Sequence, residues 1–261
     1  MPRWLKRVIL LGVLGCATWI AWVLLSRVGL AWLVYVGWGG VAALFVLELS
    51  LTGRKRARQS ADHDRWERAL LDPGARRPAI AELRAAVARA ARLGRRGRLR
   101  RARLSMSLSE LLTAEGRHEQ AIRVLAKVPT DELEDAQAAV VRHGRAQAYL
   151  AAGDPEGAQI TLKQRPESSG DPVLDRSLDL LELMAAAELG EGERALEALA
   201  ALRGGLDDPE LVADAEIVEA CALLRLDRPE EARAKLAAVD QEVRARAAAL
   251  GPPGLRELLA G

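Results

Sequence analysis

The sequence predicts an all-α chain, in which an N-terminal two-helix transmembrane hairpin precedes an α-solenoid of stacked helical pairs. Three observations carry this reading. Two charge-free apolar runs stand almost back to back within residues 1–51. Further on, a short motif returns four times, each copy starting 37 residues after the last. Charge is also segregated along the 261 residues, although the chain as a whole carries only +2. Residues 1–51 carry a net +3, residues 52–103 a net +12 and residues 104–261 a net −13. Such asymmetry bears on surfaces and partners more than on fold.

The hairpin occupies residues 1–51. Val8 to Leu25 gives 18 residues without a charge, and Val28 to Leu47 gives 20 more. A hydrocarbon core of about 30 Å is crossed by roughly 20 apolar helical residues. Ser26–Gly29 reads as the turn, with the charge of Arg27 held at the far interface. Arg3, Lys6 and Arg7 precede the first span, and Arg54, Lys55, Arg56 and Arg58 follow the second. The positive-inside rule then places both termini on the cytoplasmic face of a bacterial-type inner membrane. Five of the six tryptophans lie in this segment, several at the expected interfaces. Gly12, Gly15, Gly37, Gly39 and Gly40 either let the spans approach closely or reflect ordinary membrane-helix composition. A cleaved signal peptide fits poorly, because a second apolar span follows the first at once. Val13-Leu14-Gly15-Cys16 has the outline of a lipidation signal, but apolar residues follow Cys16 where a polar tether belongs.

Residues 52–103 form a basic juxtamembrane region. Trp66–Arg92 reads as a degenerate helical pair, with Gly74 to Ala79 as its turn-to-alanine step. Arg92, Arg95, Arg96, Arg98, Arg100, Arg101 and Arg103 fall within twelve residues. With Arg54, Lys55, Arg56 and Arg58 they make a positive collar next to the membrane. Anionic headgroups attract such side chains by about 1 kcal/mol each. Contact with anionic lipid or an acidic partner and a plain solvated face are the competing readings. Nucleic acid is disfavoured, since Trp66 and Tyr149 are the only aromatic side chains after residue 51 and offer no stacking platform.

Residues 104–240 contain the repeats. Gly116-Arg-His-Glu-Gln-Ala121 returns as Gly153 to Ala158, Gly190 to Ala195 and Asp227 to Ala232. Helical stretches precede each turn, at Leu104–Glu115, Gln137–Ala152, Leu178–Leu189 and Ala213–Leu226. The glycine, or Asp227, ends the first helix where positive φ is favoured. Pro155 and Pro229 fit the first turn of the second helix. Leu125, Leu162, Leu199 and Leu236 follow the motif alanines by four residues, which puts alanine and leucine on one buried face. Pro129 and Pro166 close two units. Gln241–Leu250 reads as a capping helix for the stack, and Pro252-Pro253 as a break before a short tail ending at residue 261.

This pattern resembles the tetratricopeptide repeat family over about Leu104–Asp240. The turn glycine, the alanine five residues later and the leucine beyond it carry the resemblance. Ala146 and Ala220 match the small residue of the family's first helix, and Tyr149 matches its aromatic. The period departs from the family's usual 34, no tryptophan holds the early position, and Leu183 stands where a small residue belongs. Two spans followed by such repeats are also similar in architecture to the bacterial HemY-like family, with a much shorter hairpin turn. The resemblance implies a protein-binding scaffold whose first helices line a groove, with Glu110, His143, Gln147, Met184 and Cys221 as candidate groove residues. The HemY-like architecture implies an accessory role in a biosynthetic pathway as an alternative.

Chemistry is not expected. His63, His118 and His143 have no metal-ligand spacing among themselves or with Cys16 and Cys221, and His118 reads as a solvated turn residue. No phosphate-binding loop, nucleophile elbow or zinc-binding helix motif is present in the sequence. No catalytic residue, metal or cofactor is therefore assigned. The expected partners are proteins on the repeat surface and the membrane itself.

Overall fold

Helix boundaries in this chain are set by a few residue types at fixed positions. The structure is a computed structural model and describes residues 64–165 and 168–260. The expected hairpin, the cluster Arg54–Arg58 and Pro166 lie outside the described residues, as do the side chains of Arg95 and Arg96. The described residues are helical, with no strand among them. None of their helices is long and apolar enough to cross a membrane.

The helices run in order as α1 (residues 64–71), α2 (Pro73–Ala91), α3 (Arg98–Ala114), α4 (His118–Ala126), α5 (Asp135–Ala152) and α6 (Pro155–Lys163). They continue as α7 (Pro172–Glu188), α8 (Gly192–Arg203), α9 (Pro209–Arg225), α10 (Pro229–Ala237), α11 (Gln241–Leu250) and α12 (Pro253–Ala260). The first helices of the four units open at Arg98, Asp135, Pro172 and Pro209, and the second helices at His118, Pro155, Gly192 and Pro229. Both series keep the 37-residue period of the turn motif.

Each first helix ends in the same backbone device. Gly116, Gly153, Gly190 and Asp227 all have positive φ, at 76°, 76°, 91° and 57°. In every case the N–H of this residue donates to a carbonyl three residues back, and the next N–H donates to one five residues back from itself, as in Gly153 to Leu150 and Asp154 to Tyr149. These bonds satisfy carbonyls that a helix end leaves open. Asp227 adopts a backbone conformation that costs an L-residue about 1–2 kcal/mol, so it is the least favourable of the four.

Helix starts correct several sequence expectations. The first helices begin four to six residues earlier than expected in three of the four units. Asp171 and Asp208 cap α7 and α9, accepting from the N–H groups of Val173 and Glu210 at 3.0 and 2.8 Å, with proline in the next position. Asp72 caps α2 in the same way through Gly74 N–H at 2.9 Å. Gly74 therefore sits in the first turn of α2 and is not the turn residue of a pair; the break between α1 and α2 falls at Asp72-Pro73. Arg98, Arg100, Arg101 and Arg103 belong to α3, so the arginine run enters the first repeat instead of stopping before it.

Packing follows the alanine–leucine face. Ala121, Ala158, Ala195 and Ala232 are at most 1% exposed, and Leu125, Leu162, Leu199 and Leu236 at most 3%. Burying each such leucine contributes about 1.5–3 kcal/mol. Tyr149 lies against α6 where Gly157 permits it, since a Cβ there would come within 2.7 Å of the ring. First helices α3, α5, α7 and α9 pack in succession, and α4, α6 and α8 each contact the first helix of the next unit. This is the stacking expected of a solenoid.

Carboxylates of the acidic repeats are partly paired between helices. Lys235 reaches Glu219 at 2.9 Å, Arg203 pairs with Glu216 at 2.8 Å and with Glu219, and Arg225 pairs with Glu188. Exposed pairs of this kind contribute about 0–1 kcal/mol each and orient the surface more than they stabilise it.

The C-terminal segment departs from expectation most. Gln241–Leu250 is helical, but a fifth unit in phase would open at Arg246, five residues later. Out of phase, α11 does not extend the stack. It turns back and packs against α3 and α5, while α12 packs against α9. The residues after Pro252 form no loose tail: Pro253 opens α12 at a position where the missing N–H costs nothing.

Candidate groove

The face shared by the first helices is the candidate site. Four of the five expected groove residues hold one register: Glu110, Gln147, Met184 and Cys221 are spaced by 37 on α3, α5, α7 and α9. The structure brings His143, Gln147 and Met184 together around a cavity of about 90 Å³. Ser177 and Asp214 complete its polar lining, and α11 roofs it with Val243, Arg246, Ala247 and Leu250. The space accepts a few water molecules and is far below the roughly 300 Å³ of a small-molecule pocket.

Cys221 is a correction. It occupies the groove register but is fully buried, clustered with Ala247 and Leu255 of the C-terminal segment. Residues of the C-terminal segment cover the position. Burial pushes the Cys221 thiol far above its ordinary range, so it is unreactive. Glu110 is half-buried and faces the same segment from α3.

Arg246 on α11 is the electrostatic centre of the groove. Its Nη2 lies 2.9 Å from Glu67 Oε1 on α1, joining residues 179 apart in sequence. Glu110 and Asp214 also feel its charge. Burial nevertheless dominates at both carboxyls, raising Glu110 to about 7 and Asp214 to about 6, with Glu67 and Glu210 adding to the respective shifts. Burial lowers His143 to about 4, so it is neutral at pH 7. Its Nε2 lies 2.8 Å from Ser177 Oγ, linking α5 to α7.

Contacts of α12 extend the footprint of the segment. Arg256 donates to the carbonyl of Ala151 at 3.0 Å and approaches His118 Nε2 at 3.4 Å. His118 is thus half-buried, not solvated as the sequence suggested, and burial with the nearby guanidinium depresses its pKa. Nε of Arg244, Nε of Arg256 and Nδ1 of His118 are buried without a hydrogen-bond partner in the protein.

The arginine run divides. Arg98 pairs with Glu132 at 2.7 Å, and Arg101 donates to the Lys127 carbonyl at 2.7 Å, so both tie α3 to the segment after α4. Arg92, Arg100 and Arg103 are exposed. Among the described residues no group of histidine, cysteine and carboxylate side chains is placed to hold a metal ion.

A family model described as tetratricopeptide repeat matches residues 112–181. That stretch runs from the end of α3 into α7 and includes the turn glycines Gly116 and Gly153. No curated protein matches the chain, and no solved structure matches it. Repeats of this kind suggest a protein–protein interaction scaffold.

Proposed function

We propose that this chain is a protein-binding scaffold held at the cytoplasmic face of a membrane by residues 1–51, with a role in assembling a membrane complex. The observation that carries the reading is the groove: a register of 37 aligns one face of the four first helices, and a helix is seated against that face. Peptides and helices of partner proteins are the ligands such surfaces suit. The two apolar runs of the N-terminus supply the anchor in this reading.

Fractionation with crosslinking tests both halves. Deleting residues 1–51 is expected to release a helical protein from the membrane pellet, and mass spectrometry of crosslinks made by the full chain in membranes is expected to place a partner on residues 98–237. A truncated chain that stays in the pellet at high salt overturns the anchor. Crosslinks confined to residues outside the repeats overturn the scaffold.

A second reading has one specific support. Exposed Arg92, Arg100 and Arg103 continue the basic collar of residues 52–103 onto the repeat array. Together they suit an anionic lipid surface or an acidic partner, each charge contributing about 1 kcal/mol near such a surface.

A further inference from the structure

We infer that α11 is an internal occupant of the groove, standing where a cationic, amphipathic helix of a partner protein binds in its place. This rests on the scaffold reading and specifies its ligand. The seated helix shows what the groove accepts. Arg246 pairs with Glu67 and acts on Glu110 and Asp214, while Val243, Ala247 and Leu250 line the cavity from the same face of the helix. One guanidinium pairs with Glu67 and acts on two further carboxyl groups, Glu110 and Asp214, so the groove suits a cation.

The fit of α11 is incomplete in two respects. It leaves the cavity of about 90 Å³ open beneath Ala247, bordered by Gln147 and Met184. It also leaves Nε of Arg244 buried with no hydrogen-bond partner in the protein. A cavity that Ala247 does not fill and a buried guanidinium nitrogen with no partner in the protein both weaken the closed arrangement. A partner helix with a basic residue in the place of Arg246 and a larger apolar side chain in the place of Ala247 would fill the void and keep the charge contact. Because α11 is covalently attached, it competes at high effective concentration and sets a threshold that a partner must exceed.

A labelled peptide of residues 241–260 carrying Ala247→Leu tests this by fluorescence anisotropy against the full chain. The peptide is expected to bind at least tenfold more tightly to an Arg246→Glu chain than to the unaltered one. The same peptide carrying Arg246→Glu is expected to lose at least tenfold in affinity. A full chain carrying Ala247→Leu keeps its own segment seated more firmly and is expected to bind the peptide more weakly than the unaltered chain. That comparison holds even where Arg246→Glu prevents folding. Binding to none of the chains, or binding indifferent to the peptide's arginine, overturns the inference. Dimerisation of the Arg246→Glu chain through exchanged C-termini makes a second copy the occupant and likewise overturns it. A partner crosslinked only to the outer faces of the repeats, with no peptide binding, leaves the scaffold standing and removes the groove as its site.

Discussion

Arg246 brings one positive charge into a space bounded by Glu67, Glu110 and Asp214, and the carboxyls respond unequally. Glu67 makes the contact at 2.9 Å, whereas Glu110 is raised from an ordinary 4.5 to about 7 because burial outweighs the attraction. The sign of the consequence follows from proton linkage. Between pH 4.5 and 7 the folded chain holds a proton on Glu110 that the unfolded chain has released, so stability falls as pH rises through that window. Asp214 acts in the same direction up to about pH 6. His143 acts oppositely: lowered from 6.5 to about 4, it withdraws stability as pH falls through that range. Glu110→Gln is therefore expected to gain stability relative to the unaltered chain between pH 5 and 8, read from urea midpoints at each pH. A difference between the two proteins that is the same at both pH values contradicts the burial of Glu110. Glu110, His143, Gln147 and Met184 were legible in the sequence as groove candidates, but Arg246 and Glu67 were not. Nothing local in either residue marks a contact made across 179 positions.

Helices tell a different story, because their determinants are local. Three turn glycines with Asp227, the motif alanines and the leucines four residues on were legible, and all twelve hold the turn or buried positions expected of them. At Leu162, 1% exposed between α5, α6 and α7, truncation to alanine is expected to cost about 2–5 kcal/mol. Ile160 on the same helix is 60% exposed, so Ile160→Ala is expected to stay within about 0.5 kcal/mol. Chemical denaturation of the two variants measures both, and equal losses would contradict the assigned face of α6. Starts of the first helices were the less legible ends. Hydrophobic periodicity fades toward α7 and α9 at their N-termini, where exposed and acidic residues stand, and apolar pattern alone placed the starts too late. The signal that marks them was present as Asp171-Pro172 and Asp208-Pro209, themselves 37 residues apart.

For the molecule as a whole, the decisive feature is the return of the C-terminus onto the groove. A ten-residue, alanine-rich helix reads the same whether it closes the end of a stack or lies across it. What decides between them is pairing over long sequence distances: Arg246 with Glu67, Arg256 with Ala151, Leu255 with Cys221. The same return explains why Cys221 is buried in a register whose other members border the groove. It also recasts the array from an open surface into one whose access depends on its own last twenty residues.

Amide hydrogen exchange of the full chain, with and without Arg246→Glu, tests that claim most directly. A groove closed by its own C-terminus predicts that residues 241–260 are protected in the unaltered chain. In the variant they are expected to lose protection selectively, while α5, α7 and α9 keep theirs. Exchange of residues 241–260 as fast as in a free peptide in the unaltered chain, or loss of protection spread evenly over the whole array in the variant, would contradict it.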